Sequence, residues 1–90
     1  MRQVRYSTKA KKDLKKYRDN ETCMRRLYEV LDYLIHDYPL PARYFPHKLT
    51  GRYKGCWECH VGSDFLLIWI DAANEVIEII RIGSHAELFG

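Results

Sequence analysis

The sequence predicts an α+β domain: a small antiparallel sheet of about four strands with two amino-terminal helices packed on one face. Three observations carry this. Apolar residues between 20 and 38 recur at the spacing of one helical face, and from residue 52 onward the period shortens to two. Ninety residues are enough to bury one core and too few for two, so residues 1–90 are read as a single domain.

The elements follow in order. RQVRY ends in a β-former and reads as a short strand, after which Ser7 and Thr8 can cap a basic helix running through about Tyr17. Asn20 can cap a second helix, in which Cys23, Met24, Leu27, Val30, Leu31, Leu34, Ile35 and Tyr38 form one buried face. Pro39 and Pro41 stop it, because proline lacks the amide donor and restricts its predecessor. A loop carrying His47 follows. Trp57, Cys59 and Val61 then alternate with Cys56, Glu58 and His60 as a strand bracketed by Gly55 and Gly62. FLLIWI, residues 65–70, is apolar on both faces, as a central strand requires, and Asp71–Asn74 supplies a turn into EVIEIIRI, which Gly83 ends. Short turns between consecutive strands imply antiparallel pairing.

The net charge of +3 conceals an uneven distribution. Residues 1–18 carry Arg2, Arg5, Lys9, Lys11, Lys12, Lys15, Lys16 and Arg18 against Asp13 alone, a block suited to phosphate backbones or an acidic protein, or simply to a solvated helix face. No apolar run is long enough to span a bilayer, and the amino terminus has no export signal, so a cytoplasmic protein with no membrane association is expected. Three cysteines, Cys23, Cys56 and Cys59, then read as reduced thiols.

Cys56, Cys59 and His60 spell C-x-x-C-H, a haem-attachment pattern. On a strand, residues three apart point to opposite faces with Cα atoms about 10 Å apart, too far for a disulfide. No second cysteine or histidine pair completes a zinc site, and covalent haem requires export. Neither metal nor cofactor is expected. Cys59 should face the core with Trp57, and Cys56 the other side.

What remains is a set of residues suited to phosphate chemistry: His47, His60, Asp64, Arg81 and His85. Arg81 interrupts the apolar series Ile77, Ile79 and calls for an anion, either a phosphate or an ion-pair partner such as Glu58 or Glu78. Phe89 is either core or a platform on which a base stacks. Metal-free RNA cleavage needs a base for the ribose 2′-OH, a cation for the phosphate and an acid for the departing 5′ oxygen; histidines, aspartate and arginine can supply these.

The strings PHKLTGRYKGCWECHVGSDFLLIW and RIGSHAELFG resemble the carboxy-terminal half of the YafQ branch of RelE-type toxins, and the likeness extends over nearly the whole chain. These are small ribosome-dependent mRNA endoribonucleases of bacterial toxin–antitoxin pairs. The resemblance implies a RelE-like fold, with His47, His60, Asp64 and His85 as acid and base candidates, Arg81 as phosphate ligand and Phe89 as an mRNA contact. His85 is expected to be the general acid, with Asp64 and His60 on the base side. Phe65 stands where the family has tryptophan and is expected to contact RNA by stacking. Lys11, Lys12, Lys15 and Lys16 are expected to hold ribosomal RNA. The implied partners are the ribosome with its mRNA and a cognate antitoxin of ribbon-helix-helix type, through which operator DNA is met. The rival reading is an inactive or related-branch member that only binds antitoxin and operator; retention of Arg81 and His85 speaks for the enzyme.

Overall fold

Local chemistry forms the first elements where the sequence places them. The computed structural model describes residues 1–72 and 75–90, so the second half of the turn expected over Asp71–Asn74, residues 73–74, lies outside the described residues. Strand β1 spans Gln3–Tyr6, and helix α1 spans Thr8–Tyr17 behind Ser7, whose side chain accepts from the Ala10 amide. Helix α2 spans Glu21–Ile35 behind Asn20, which caps the Cys23 amide. The helix ends at Ile35, short of Tyr38, which is exposed. Leu27, Val30, Leu31 and Leu34 form its buried stripe; truncating Leu27, which is fully buried, should cost about 2–5 kcal/mol.

The sheet has five strands rather than four, and it is mixed rather than antiparallel. Strands β2 (His47–Lys48), β3 (Trp57–Gly62), β4 (Phe65–Ala72) and β5 (Val76–Gly83) form an antiparallel meander, and β1 joins β5 in parallel, giving the order β1-β5-β4-β3-β2. His47 therefore lies in a two-residue strand, not in a loop. The two helices carry the chain from one edge of the sheet to the other, and that crossover makes β1 parallel to its neighbour. A third helix, α3 (His85–Phe89), closes the chain.

Alternation sorts the sheet residues into two clusters. Cys59, Val61, Leu67, Trp69, Ile77, Ile79 and Ile82 pack under α1 and α2, whereas Cys56, Leu66, Ile68 and Leu88 pack on the other face with Tyr53 and Phe89 beside them. The second cluster is the work of α3, whose Leu88 is set on Leu66 and Ile68 while its carbonyl accepts from the Tyr53 hydroxyl at 2.9 Å.

Two local departures place the residues of interest. Ile68 pairs with Arg81 but Trp69 pairs with Ile79, so Ile80 is an extra residue on β5. This bulge inverts the alternation, sending Ile82 rather than Arg81 to the main core. Pairing with β1 also ends at Ile79, and α1 completes the edge beyond it. Ser7 donates its hydroxyl to the Ile80 carbonyl at 2.7 Å, and Asp13 accepts from the Ile82 amide at 2.9 Å.

Candidate active site

The ladders bring the dispersed candidates into two adjacent rows on the face opposite the long helices. His47 is opposite Glu58, Glu58 opposite Ile68, and Ile68 opposite Arg81. The neighbouring row runs His60, Leu66, Gly83, with His85 two residues further on. At about 4.8 Å between strands, each row crosses about 10–15 Å of sheet.

At one end His47 is fixed by both ring nitrogens. Nδ1 lies 2.9 Å from the Phe45 carbonyl and Nε2 lies 3.1 Å from Glu58 Oε1. The ring is thus held in place between a backbone carbonyl and a carboxylate, both of them hydrogen-bond acceptors. The Glu58 side chain is 6% exposed, and its Oε2 has no hydrogen-bond partner among the described residues. A buried carboxyl group left half satisfied is costly, and the contact with His47 offsets part of that cost. From the sequence, Glu58 is merely a possible mate for Arg81; its alternation with His60 in WECH is the signal that places it on the site face. His60 is exposed, its ring centroid 6.3 Å from that of His47, and Phe45 packs against both.

At the other end the turn into α3 does the positioning. Ser84 accepts from the Glu87 amide at 3.2 Å, while Glu87 accepts from the Ser84 amide at 2.8 Å, a reciprocal capping box. A Cβ at Gly83 would come within 2.8 Å of Glu87 Oε1 and push that carboxylate out of the cap. Asp64 Oδ1 accepts from the His85 amide at 2.9 Å, tying the β3–β4 turn to the first residue of the helix. The exposed His85 ring is 4.9 Å from Phe89, which meets Tyr53 edge-on at 5.3 Å. Glu87 also accepts from Lys16 and from the Tyr17 hydroxyl, and burial pushes the Tyr17 pKa up, keeping that hydroxyl a donor.

Several expectations are corrected. Arg81 pairs with neither Glu58 nor Glu78. Its Nε and Nη2 donate to Asp13 at 2.8 and 3.2 Å, a bond that raises the guanidinium pKa further, while Glu78 lies near Arg5. Phe65 is buried in the main core with its ring 4.8 Å from Tyr17, so it is a packing residue and not a surface for a base. Lys16 pairs with Glu87 and is exposed, as are Lys11, Lys12 and Lys15. Cys56 and Cys59 are buried free thiols on opposite faces, and burial pushes the Cys59 pKa up to about 12. Among the described residues, no three His, Cys, Asp or Glu side chains group as metal ligands.

Comparison with known proteins adds a family. The family model described as the YafQ bacterial toxin of type II toxin–antitoxin systems matches residues 2–90. The mRNA interferase toxin YafQ of Escherichia coli strain K12 is 36% identical over 90 residues, which are 99% of this chain and 97% of that one. The crystal structure of a histidine-to-glutamine variant of E. coli YafQ superposes with a TM-score of 0.87 at 34% identity, each chain fully covered. YafQ in the E. coli DinJ–YafQ complex gives 0.85 at 34% identity, again over the whole of both chains.

Proposed function

The chain belongs to the YafQ family of type II toxins, and from that membership we propose that it is an mRNA interferase that cuts mRNA in the ribosomal A site by acid–base catalysis without a metal ion. The observation that carries the catalytic part is the pairing of Asp64 with the His85 amide, which sets a histidine at the edge of the row bearing His60, two residues along the strand from the row bearing Arg81.

In this reading a base, His60 or the remaining oxygen of Asp64, takes the proton from the ribose 2′-OH. The 2′ oxygen attacks phosphorus, the bond from phosphorus to O5′ breaks, and His85 gives O5′ its proton. A 2′,3′-cyclic phosphate and a 5′-hydroxyl result. Arg81 meets the growing charge with the guanidinium donors that Asp13 leaves unused. His47, held between the Phe45 carbonyl and Glu58, stands beside His60 as a further acid or base candidate. Phe89 offers a ring to the RNA beside His85. The exposed lysines of α1 hold ribosomal RNA. A cognate antitoxin, of ribbon-helix-helix type and bridging to operator DNA, restrains the enzyme in the cytoplasm; the E. coli DinJ–YafQ toxin–antitoxin complex supports the existence of an antitoxin partner.

Primer extension on a translated mRNA tests this, with and without ribosomes and with chelator present. Cuts are expected when ribosomes are present and unaffected by chelation, and His85→Ala should lower the single-turnover rate about a hundredfold or more. Cutting by His85→Ala at the wild-type rate, or equal cutting of a 2′-deoxy site, would overturn the mechanism.

A further inference from the structure

Phe45 stands in the open where burial would be expected. It is 61% exposed, and its backbone has φ 50° and ψ 56°, the left-handed region that a bulky residue rarely occupies. Such a conformation is strained and persists where its surroundings enforce it. Here the Phe45 amide donates to the Ala42 carbonyl at 2.9 Å, and the Phe45 carbonyl accepts from His47 at 2.9 Å. The strained turn thus directs an aromatic ring to solvent, 5.0 Å from the His47 ring and edge-on to His60 at 5.6 Å.

Beyond Glu58, β2 no longer pairs with the outer edge of β3. A hollow of about 500 Å³ opens there, walled by Arg26, Arg43 and His60, with Glu29 the acid on its lining. Arg43 lies over the Tyr44 ring at 4.6 Å and donates to its hydroxyl at 3.1 Å, which holds the guanidinium in place. Arg26 rests against the strand end, where its Nη1 would be 3.3 Å from a Cβ on Gly62. Among the described residues, neither guanidinium has a carboxylate within 4.0 Å.

We propose that Phe45, Arg43 and Arg26 form a subsite for the nucleotide flanking the cut on the His60 side, its base stacked on Phe45 and its phosphate held by the two arginines. Single-stranded RNA is recognised in this way, by aromatic faces for splayed bases and cations for the backbone between them. The subsite rests on the RNA-cleaving reading and extends it to substrate recognition.

The test combines Phe45→Ala with an abasic nucleotide placed at each position beside the cut. Binding is read on ribosomes programmed with 2′-O-methyl mRNA, and single-turnover cutting on the 2′-hydroxyl mRNA. Phe45→Ala should raise the half-saturating concentration about tenfold, within the usual worth of one stacked base, with the limiting rate retained and with rescue by Phe45→Trp. At one flanking position the abasic nucleotide should weaken wild type equally and weaken Phe45→Ala no further. Arg26→Ala with Arg43→Ala should behave likewise toward a methylphosphonate at the adjacent linkage. Equal abasic effects in wild type and variant would overturn the subsite, as would unchanged cutting by a Phe45→Ala protein that no longer binds its antitoxin, which would give the ring to the protein partner. If wild type fails to cut, the enzymatic reading falls, and the abasic comparison on the 2′-O-methyl complex still decides the subsite.

Discussion

Asp13 is the residue on which fold and chemistry meet. One carboxylate oxygen accepts from both the Ile82 amide and Arg81 Nε, and the other from Arg81 Nη2, so a single side chain ends the β5 edge and orients the Arg81 guanidinium. Asp13→Ala should lower unfolding free energy by about 1–3 kcal/mol, the cost of an unpaired part-buried amide, and should slow cutting as Arg81→Ala does. An unchanged denaturation midpoint would contradict this. Cys59 makes a different prediction. Its thiol ionises near pH 12 in the native protein, against 9.0 for the unperturbed group, because burial disfavours the thiolate. Between those values the unfolded chain releases a proton that the native one keeps. Stability from this group is therefore intact below pH 9 and falls as pH rises, by up to about 1.4 kcal/mol per unit. Cys59→Ala should flatten the alkaline limb of a stability–pH curve, and native Cys59 should resist alkylation at pH 8 while Cys23, half-buried, reacts.

At the scale of elements, α1 has two charged faces with different duties. Asp13 pairs with Arg81 on β5 and the exposed Lys16 with Glu87 on α3, while Lys11, Lys12 and Lys15 are exposed and have no ion-pair partner among the described residues. Neutralising these three lysines should weaken ribosome association and reduce its salt slope, by about 0.7–0.9 for each phosphate that a lysine no longer neutralises. Lys16→Gln should instead perturb the ion pair with Glu87, at a cost of about 0.2–1 kcal/mol for a largely exposed pair. If the triple variant binds ribosomes as well as wild type across a salt series, the run is a solvated face and nothing more. Helix α3 is too short to be stable by itself and depends on Ser84, Glu87, Asp64 and the seat of Leu88.

For the molecule as a whole, the family implies a toxin paired with a restraining partner. Expression of the wild-type chain alone should arrest bacterial growth, and co-expression with its antitoxin should restore it. His85→Ala should be tolerated alone yet still capture the antitoxin, because the substitution is exposed and leaves the fold intact. Harmless expression of folded wild-type protein would favour the rival reading, an inactive or related-branch member that only binds antitoxin and operator.

Features under local control were legible in the chain alone: the caps at Ser7 and Asn20, the buried stripe of α2, the central strand FLLIWI and the separation of Cys56 from Cys59, each settled by near neighbours and by periodicity. Motifs alone also led to the family. The other features took shape only in the folded protein, because they depend on residues far apart in the chain. The parallel placement of β1 follows from where the crossover lands. One extra residue at Ile80 moved Arg81 to the other face and gave it to Asp13, 68 positions away. Phe65 directly follows Asp64, yet helix packing from α1 buries its ring, whereas a left-handed turn exposes Phe45, in which the sequence showed nothing. Alternation can say that two side chains share a face. It cannot count a bulge, choose a strand's partner or show that Glu58 lies buried against His47, since each of these is fixed by packing between segments that meet only when the chain folds.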